Sequence, residues 1–468
     1  MKKKLIIISV LTSMVLPLQA GGLVTNSNQS ASYYRMLARG ASTTGDAVYY
    51  NPAGLVFLEE GLTISLNSQM IWMTRTINNN LPTLNKNEFE GNLYVPFFPG
   101  IYAAYKTGNW AISLGFNPPA GGGSVEFADG LPMLERDVSF IPAMLTAQGE
   151  QMAPGSGLLR TTKYSMESMM KGTSIVYGAQ VGVSYKINEM FSLSGGVRMM
   201  FANNSYEGYV KDIMINPVHP LVNPNADMIS APAFFTTIGN EQNAAATADQ
   251  KLDVTQSGNG VAPIFGVHFR LNSLNLAAKY EFKTKITLKN ETKQNAMNMY
   301  PDGQELRSDV PAVLSLAGSY DVLPIMKFSV TYLHHFEPQA TIESWAPSAT
   351  APGGGIIVKR NELINGGTNE YMAGLEFKFG KLIVSAGCQY SDVNVSDEWH
   401  NDITHNLDNF TLGLGAAYNF SEKLSLTIGG LTTWYTPVEI KGTFNGVDYI
   451  QKYDRDNKAI AIGIEYKF

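Results

Sequence analysis

Residues Ser30–Glu59 read SASYYRMLARGASTTGDAVYYNPAGLVFLE. The centre of this stretch, Asp46 to Gly54, fits no strand pattern, because Pro52 lacks a backbone donor and Gly54 loosens the chain. It is also too rich in Tyr33, Tyr34, Met36, Leu37, Val48, Tyr49 and Tyr50 to read as a solvated tail. An export-signal pattern stands before it and a long series of alternating segments after it. The stretch therefore predicts a plug, and the alternating segments predict the wall around it: 1–20 signal peptide, 21–59 N-terminal hatch, 60–468 β-barrel.

The signal reading rests on Lys2, Lys3 and Lys4, an apolar run from Leu5 to Leu18, and the small residue Ala20 at a plausible cleavage point. The run is shorter than the roughly 18–20 residues a spanning helix needs. Removing these three Lys with no acids takes the formal charge from −6 to −9. An acidic chain argues against nucleic acid as a partner. The single cysteine, Cys388, excludes a disulfide scaffold. Charged residues are 16% while hydropathy is near zero, the balance expected of strands that are apolar on one face and polar on the other.

Period-2 alternation begins at Leu62 and recurs to Phe468. In the first segment Leu62, Ile64, Leu66, Met70 and Trp72 alternate with Thr63, Ser65, Asn67 and Gln69. In the last, Ile460, Ile462, Ile464, Tyr466 and Phe468 alternate with Ala459, Ala461, Gly463, Glu465 and Lys467. Fourteen such strands are expected, at about 62–72, 98–106, 110–117, 174–185, 190–206, 261–270, 275–288, 312–320, 326–336, 371–379, 382–390, 410–420, 424–435 and 458–468. Short turns alternate with long connections, at about 73–97, 118–173, 207–260, 289–311, 337–370, 391–409 and 436–457. An even strand number with loops of one parity long and the other short is the layout of an outer-membrane barrel of a Gram-negative bacterium, with both termini periplasmic. The expected fold class is all-β, a transmembrane antiparallel barrel of 14 strands with a hatch in its lumen. A soluble sandwich also alternates, but does not keep this parity over seven hairpins. Small residues repeated on the polar face suit a crowded lumen, and Cys388 falls on the lipid-facing parity.

Ala38-Arg39-Gly40-Ala41, then Asp46-Ala47, then Asn51-Pro52-Ala53-Gly54 before the first strand resemble the FadL family of outer-membrane transporters of long-chain fatty acids and other hydrophobic compounds. The resemblance covers the mature chain, although Gly45-Asp46 stands where the family often has two acids. It implies a passive importer rather than an enzyme, with no cofactor. It implies as partners a hydrophobic small molecule, outer-membrane lipid, and the barrel assembly machinery through the terminal strand ending at Phe468. It also implies a first binding groove between outer loops and lateral release through an inward kink in the third strand.

The residues give each step a candidate. A water-filled pore gives an apolar tail no favourable path, because its transfer to water costs about 0.8 kcal/mol per CH₂. Entry is expected among Met133, Leu134, Phe140 and Ile141 of the second long connection and Phe234 and Phe235 of the third; the plainer reading is that these residues pack the loops into a lid. The fourth connection, the family's usual partner in the groove, is short and polar here. A cargo carboxylate needs a cation or clustered N–H donors, and the candidates are Arg35, Arg39 and Arg198. The plainer reading pairs Arg39 with Asp46 to seat the plug. The exit is expected at Pro118, Pro119, Gly121, Gly122 and Gly123, where two prolines cannot join a ladder and three glycines let the chain bend; the other reading ends the strand at Phe116. His334 and His335 point to opposite faces, and His400, Asp402 and His405 read as a polar loop before a metal site. No nucleophile elbow or metalloprotease helix is present. The alternative function is a surface adhesin or receptor on a plugged barrel.

Overall fold

The computed structural model describes residues 30–295, 299–348 and 354–468. The expected signal peptide and the first part of the expected hatch, 21–29, lie outside the described residues. Among the described residues, fourteen strands form the wall: β1 Gly61–Asn79, β2 Glu88–Thr107, β3 Trp110–Phe127, β4 Tyr164–Lys186, β5 Phe191–Ile215, β6 Gln250–Leu271, β7 Leu274–Glu281, β8 Val313–Leu323, β9 Met326–His335, β10 Asn369–Phe379, β11 Leu382–Asp392, β12 Asn409–Asn419, β13 Leu424–Tyr435 and β14 Val447–Lys467. Each pairs antiparallel with its sequence neighbour, and β1 pairs with β14 from Thr63↔Lys467 to Asn79↔Gln451, which closes the sheet.

Alternation sets the two faces. Leu66, Trp72, Leu114, Leu414, Ile460, Ile462 and Ile464 stand exposed on the outside, with Trp110, Tyr185, Tyr418, Phe420 and Trp434 nearer the strand ends. A charge on the lipid face at mid-depth costs about 2–4 kcal/mol, which keeps that face apolar. The inner parity is polar and buried: Asn67, Gln69, Gln180, Arg198, His268 and Gln389. No described helix is long and apolar enough to cross a membrane.

Several walls are longer than alternation alone indicates. β4 has 23 residues, β5 25, β6 22 and β14 21, so much of the expected connections 73–97, 118–173, 207–260 and 436–457 continues the ladder. Beyond the membrane the outer face meets water, polar residues such as Glu88, Glu90 and Asn92 are admitted there, and the period-2 signal fades although pairing continues. The seventh strand is shorter than expected. It leaves the wall after Glu281, and the chain resumes as a further strand, Thr287–Asn295, against the upper part of β6. The third strand neither stops at Phe116 nor runs straight: it continues to Phe127 through two irregularities against β4.

Residues 30–58 run through the lumen and touch strands on every side of it. They form a short helix Ala31–Arg35, a helical turn Ala47–Tyr50 and a 3₁₀ turn Pro52–Phe57. The wall is thinned to receive them. A Cβ on Gly429 would lie 2.6 Å from the Arg35 nitrogen, and one on Gly413 2.6 Å from the Tyr34 carbonyl oxygen. At the long-connection end a cluster including Ile77, Phe89, Phe127, Tyr206, Leu252 and Tyr453 closes the barrel.

Candidate functional site: a plugged lumen beside an interrupted wall

The plug is anchored by its own ion pair. Arg39 donates from Nε to Asp46 Oδ2 at 2.9 Å and from Nη2 to Asp46 Oδ1 at 2.8 Å, a bidentate pair. Ser42 and Thr44 add hydroxyl donors to Asp46 Oδ1 at 2.7 and 2.8 Å, and Ser30 adds one to Oδ2 at 3.1 Å. Burial alone would raise the Asp46 carboxyl; the Arg39 guanidinium and the hydroxyls outweigh it and hold the carboxyl below its ordinary value. Charge-assisted, bidentate bonds of this kind are the strong ones.

Asn51-Pro52-Ala53-Gly54 is the plug's dock on the wall. Asn51 donates from Nδ2 to the Val267 and Ala278 carbonyls at 3.0 and 3.3 Å, while its Oδ1 accepts from Ala53 N–H. Ser184 of β4 donates to the Pro52 carbonyl and Ser192 of β5 to the Ala53 carbonyl, both at 2.7 Å. Pro52 fixes φ at the start of the turn. Gly54 must lack a side chain, because a Cβ there would overlap the Ser42 carbonyl oxygen.

Above the plug lies a lumenal cavity of about 80 Å³, bounded by Arg39, Tyr49 and Tyr50 below, by Arg198, Lys279 and Glu281 on one wall, and by Pro119 of β3. It is far smaller than the ~300–1,000 Å³ of ordinary ligand pockets. The three arginines singled out in the sequence all reach the lumen, and all have carboxylate partners. Arg35 pairs with Glu376 at 2.6 Å, Arg39 with Asp46, and Arg198 with Glu281 at 2.6 Å. Arg198 also lies 4.8 Å over the Tyr49 ring. Lys279, not singled out, borders the same cavity, donates to the Tyr49 carbonyl at 3.0 Å and lies 3.6 Å from Glu281. Inward parity on β7 is the signal that would have found it.

The ladder of the wall is interrupted beside this cavity. β2 pairs with β3 from Thr107↔Trp110 to Ile101↔Phe116, then not again until Asn92↔Glu126. Between these points Asn117, Pro118, Pro119 and Ala120 are all buried in succession, so alternation stops and the chain turns inward. Gly121 and Gly123 take φ of +84° and +100°, which few residues other than glycine adopt. β3 stays attached to β4 through Ala120↔Val176 and Gly123↔Ser174. The result is a strand held on one side and detached on the other, with Pro119 facing the cavity.

The expected loop residues are packed rather than open. Phe234 and Phe235 are each 1% exposed, in a cluster with Ile141, Leu145, Ile213 and Ile215. Met133, Leu134 and Phe140 are half-buried against the upper cluster; Phe140 meets Phe444 edge to face at 5.1 Å. Met133 N–H donates to Asp402 at 2.7 Å. His400 and His405 both stack on the Tyr453 ring, with centroids 6.0 and 4.9 Å away. Among the described residues no His, Cys, Asp and Glu group could hold a metal ion.

Comparison with known proteins agrees with this architecture. No curated protein matches the chain. Three solved structures are similar to it in fold: a Pseudomonas aeruginosa FadL homologue, 12% identical, covering 96% of this chain and 100% of its own with a TM-score of 0.63; the P. putida toluene transporter TodX, 15% identical, 91% and 95%, TM-score 0.57; and the Ralstonia pickettii toluene transporter TbuX, 13% identical, 91% and 94%, TM-score 0.51. At such identities the likeness speaks for the fold. The family model described as outer membrane protein transport protein (OMPP1/FadL/TodX) matches residues 160–468, from the edge of β4 through the closing strand. A closed fourteen-strand barrel carrying that match over about two thirds of its length belongs to the FadL/TodX family of outer-membrane transporters of hydrophobic compounds.

Proposed function

We propose that the protein imports apolar molecules passively, long-chain fatty acids first among them, with the short turns and both termini on the periplasmic side. Cargo is gathered at the outer loops over the half-buried Met133, Leu134 and Phe140, with Ile141, Phe234 and Phe235 packed beneath as their support, enters the lumen above the plug, and leaves sideways into the membrane between β2 and β3. In this reading residues 21–59 act as the hatch, with Arg39, Asp46 and Asn51–Gly54 as its fixed points.

The observation that carries the reading is the unladdered stretch of wall beside a plugged lumen. A plug blocks the axial route. A lateral exit delivers an apolar tail to lipid without the ~0.8 kcal/mol per CH₂ cost of water. The small cavity supports a closed state in which the hatch shifts before cargo passes.

The test is uptake of labelled oleate by intact cells lacking their own hydrophobic importer, with and without this protein, beside labelled toluene and a labelled sugar. Oleate uptake without sugar uptake is the expected result. Toluene uptake alone would move the cargo to small aromatic hydrocarbons, toluene being the compound named for two of the similar structures. Sugar uptake alone would refute the plugged channel.

A further inference from the structure

Arg75 on β1 and Arg455 on β14 stand directly opposite one another across the seam that closes the barrel. Antiparallel partners sit about 4.5–5.5 Å apart at Cα, and like charges placed so are destabilising. Both arginines take the inward parity, in line with buried Gln69 on one strand and buried Asn457 and Ala459 on the other. Arg35, Arg39 and Arg198 each have a carboxylate. Among the described residues Arg75 and Arg455 have none within 4 Å. Arg75 instead donates from Nη1 to the Ile403 carbonyl at 3.0 Å, and Arg455 from Nη2 to the His405 carbonyl at 2.8 Å. Both carbonyls belong to the connection between β11 and β12. The Nε atoms of both arginines are buried and without a partner, as is Nε2 of His405.

Along β1 the inward neighbours are apolar above and below, while on β14 the inward neighbours of Arg455 are Tyr453 and the polar Asn457. Met73 and Ile71 are the next two inward positions down β1, and Ile71 packs on the cluster built by Tyr34 and Leu37 of the plug. Ile77, one inward position up, belongs to the upper cluster with Tyr453 and Tyr435. The Arg455 guanidinium lies 5.1 Å over the Tyr435 ring. A two-charge donor set between two apolar layers matches a molecule with an anionic head and an apolar body.

We infer that Arg75 and Arg455 form a carboxylate-binding site on the inner wall, which receives the head group of an amphiphilic cargo and selects apolar acids over neutral hydrocarbons. The inference rests on the import reading and narrows its substrate class. A carboxylate offers two oxygens with about four acceptor positions, and charge-assisted bonds are roughly twice as strong as neutral ones. It therefore displaces the Ile403 and His405 carbonyls from the guanidinium donors.

The test uses the full chain, held in amphipol at pH 8, with labelled laurate and labelled dodecanol, which share a tail and differ in the head. Wild type is expected to bind laurate at least tenfold more tightly than dodecanol. The double variant R75M/R455M is expected to lose that preference, with dodecanol binding changed less than twofold. Equal affinity for the two ligands in wild type would overturn the inference and leave the import reading standing, and needs no variant to fold. Retained preference in the double variant would also overturn it. Failure of wild type to bind either ligand would refute the import reading and this site together. A separate readout is thermal: R75M is expected to melt no lower than wild type, since it removes one of two opposed like charges; a lower midpoint would mark the pair as structural and overturn its assignment as a binding site.

Discussion

If cargo leaves sideways as proposed, Gly122 is the position at which that route can be closed without disturbing the wall. Gly121 and Gly123 both have positive φ, and a Cβ at Gly121 would overlap the Ser174 carbonyl oxygen while one at Gly123 would lie 2.8 Å from Val95. Substitution there strains the backbone and confuses folding with transport. Gly122 has ordinary φ, and a Cβ there meets no heavy atom within 4 Å. A Trp at this point brings an aromatic group of about 150–250 Å² into the unladdered stretch, at a backbone cost within about 1 kcal/mol. Cargo denied the sideways path must leave through water. For a body of seven apolar carbons that costs about 5–6 kcal/mol, which is roughly 10⁴-fold at 1.4 kcal/mol per factor of ten. Uptake of oleate and of toluene by G122W is therefore expected to fall at least tenfold, to the level of cells lacking the protein. G122A is expected to transport normally. The assay is initial-rate uptake at matched surface amount, with heat-modifiable migration as the folding control. Unchanged uptake in folded G122W would refute the lateral exit.

Three further outcomes concern the plug. Breaking its buried ion pair with R39A or D46N is expected to cost about 3–5 kcal/mol of plug anchoring and to raise ion conductance in planar bilayers; a silent channel would show that the wall contacts of Asn51 suffice. The same anchoring depends on acid, because the Asp46 carboxyl is held below its ordinary value of 3.8: the contribution is complete above about pH 4 and is lost as pH falls through the lowered value, so conductance should be flat from pH 8 to 5 and rise only below about 4. G429V puts methyl groups where the Arg35 nitrogen and Tyr34 lie; it is expected to leave the lipid face unchanged, displace the plug, and sensitise cells to a polar antibiotic.

Much of the architecture was legible because a membrane barrel writes its wall plainly. Leu62 to Trp72 and Lys458 to Phe468 alternate since one face meets lipid and the other the lumen, and both lie in the wall as read. Above the bilayer that contrast disappears, so residues 88–97 and 164–173 carried no signal although they pair as strands. The interrupted third strand was visible in Pro118–Gly123, since those residue types resist a ladder whatever surrounds them. The lumenal partners were not visible. Glu281 and Glu376 neutralise Arg198 and Arg35 across large sequence separations, and nothing local to an arginine says which inward carboxylate will reach it. Arg75 and Arg455 were hidden for another reason: what sets them apart is that they face one another across the seam, which only the closed register reveals.

The unequal length of the strands has a consequence for the shape of the outer rim. β5 has 25 residues; at ~3.3 Å each and a tilt near 45° it rises ~58 Å, against a hydrocarbon layer of ~30 Å. β8 to β13 have only 10 to 12 residues and end close to the layer they cross. The rim is therefore lopsided, a tall parapet on one flank and a low sill on the other. Anything that approaches the barrel from outside meets the tall flank some tens of ångströms before it reaches the level of the low one.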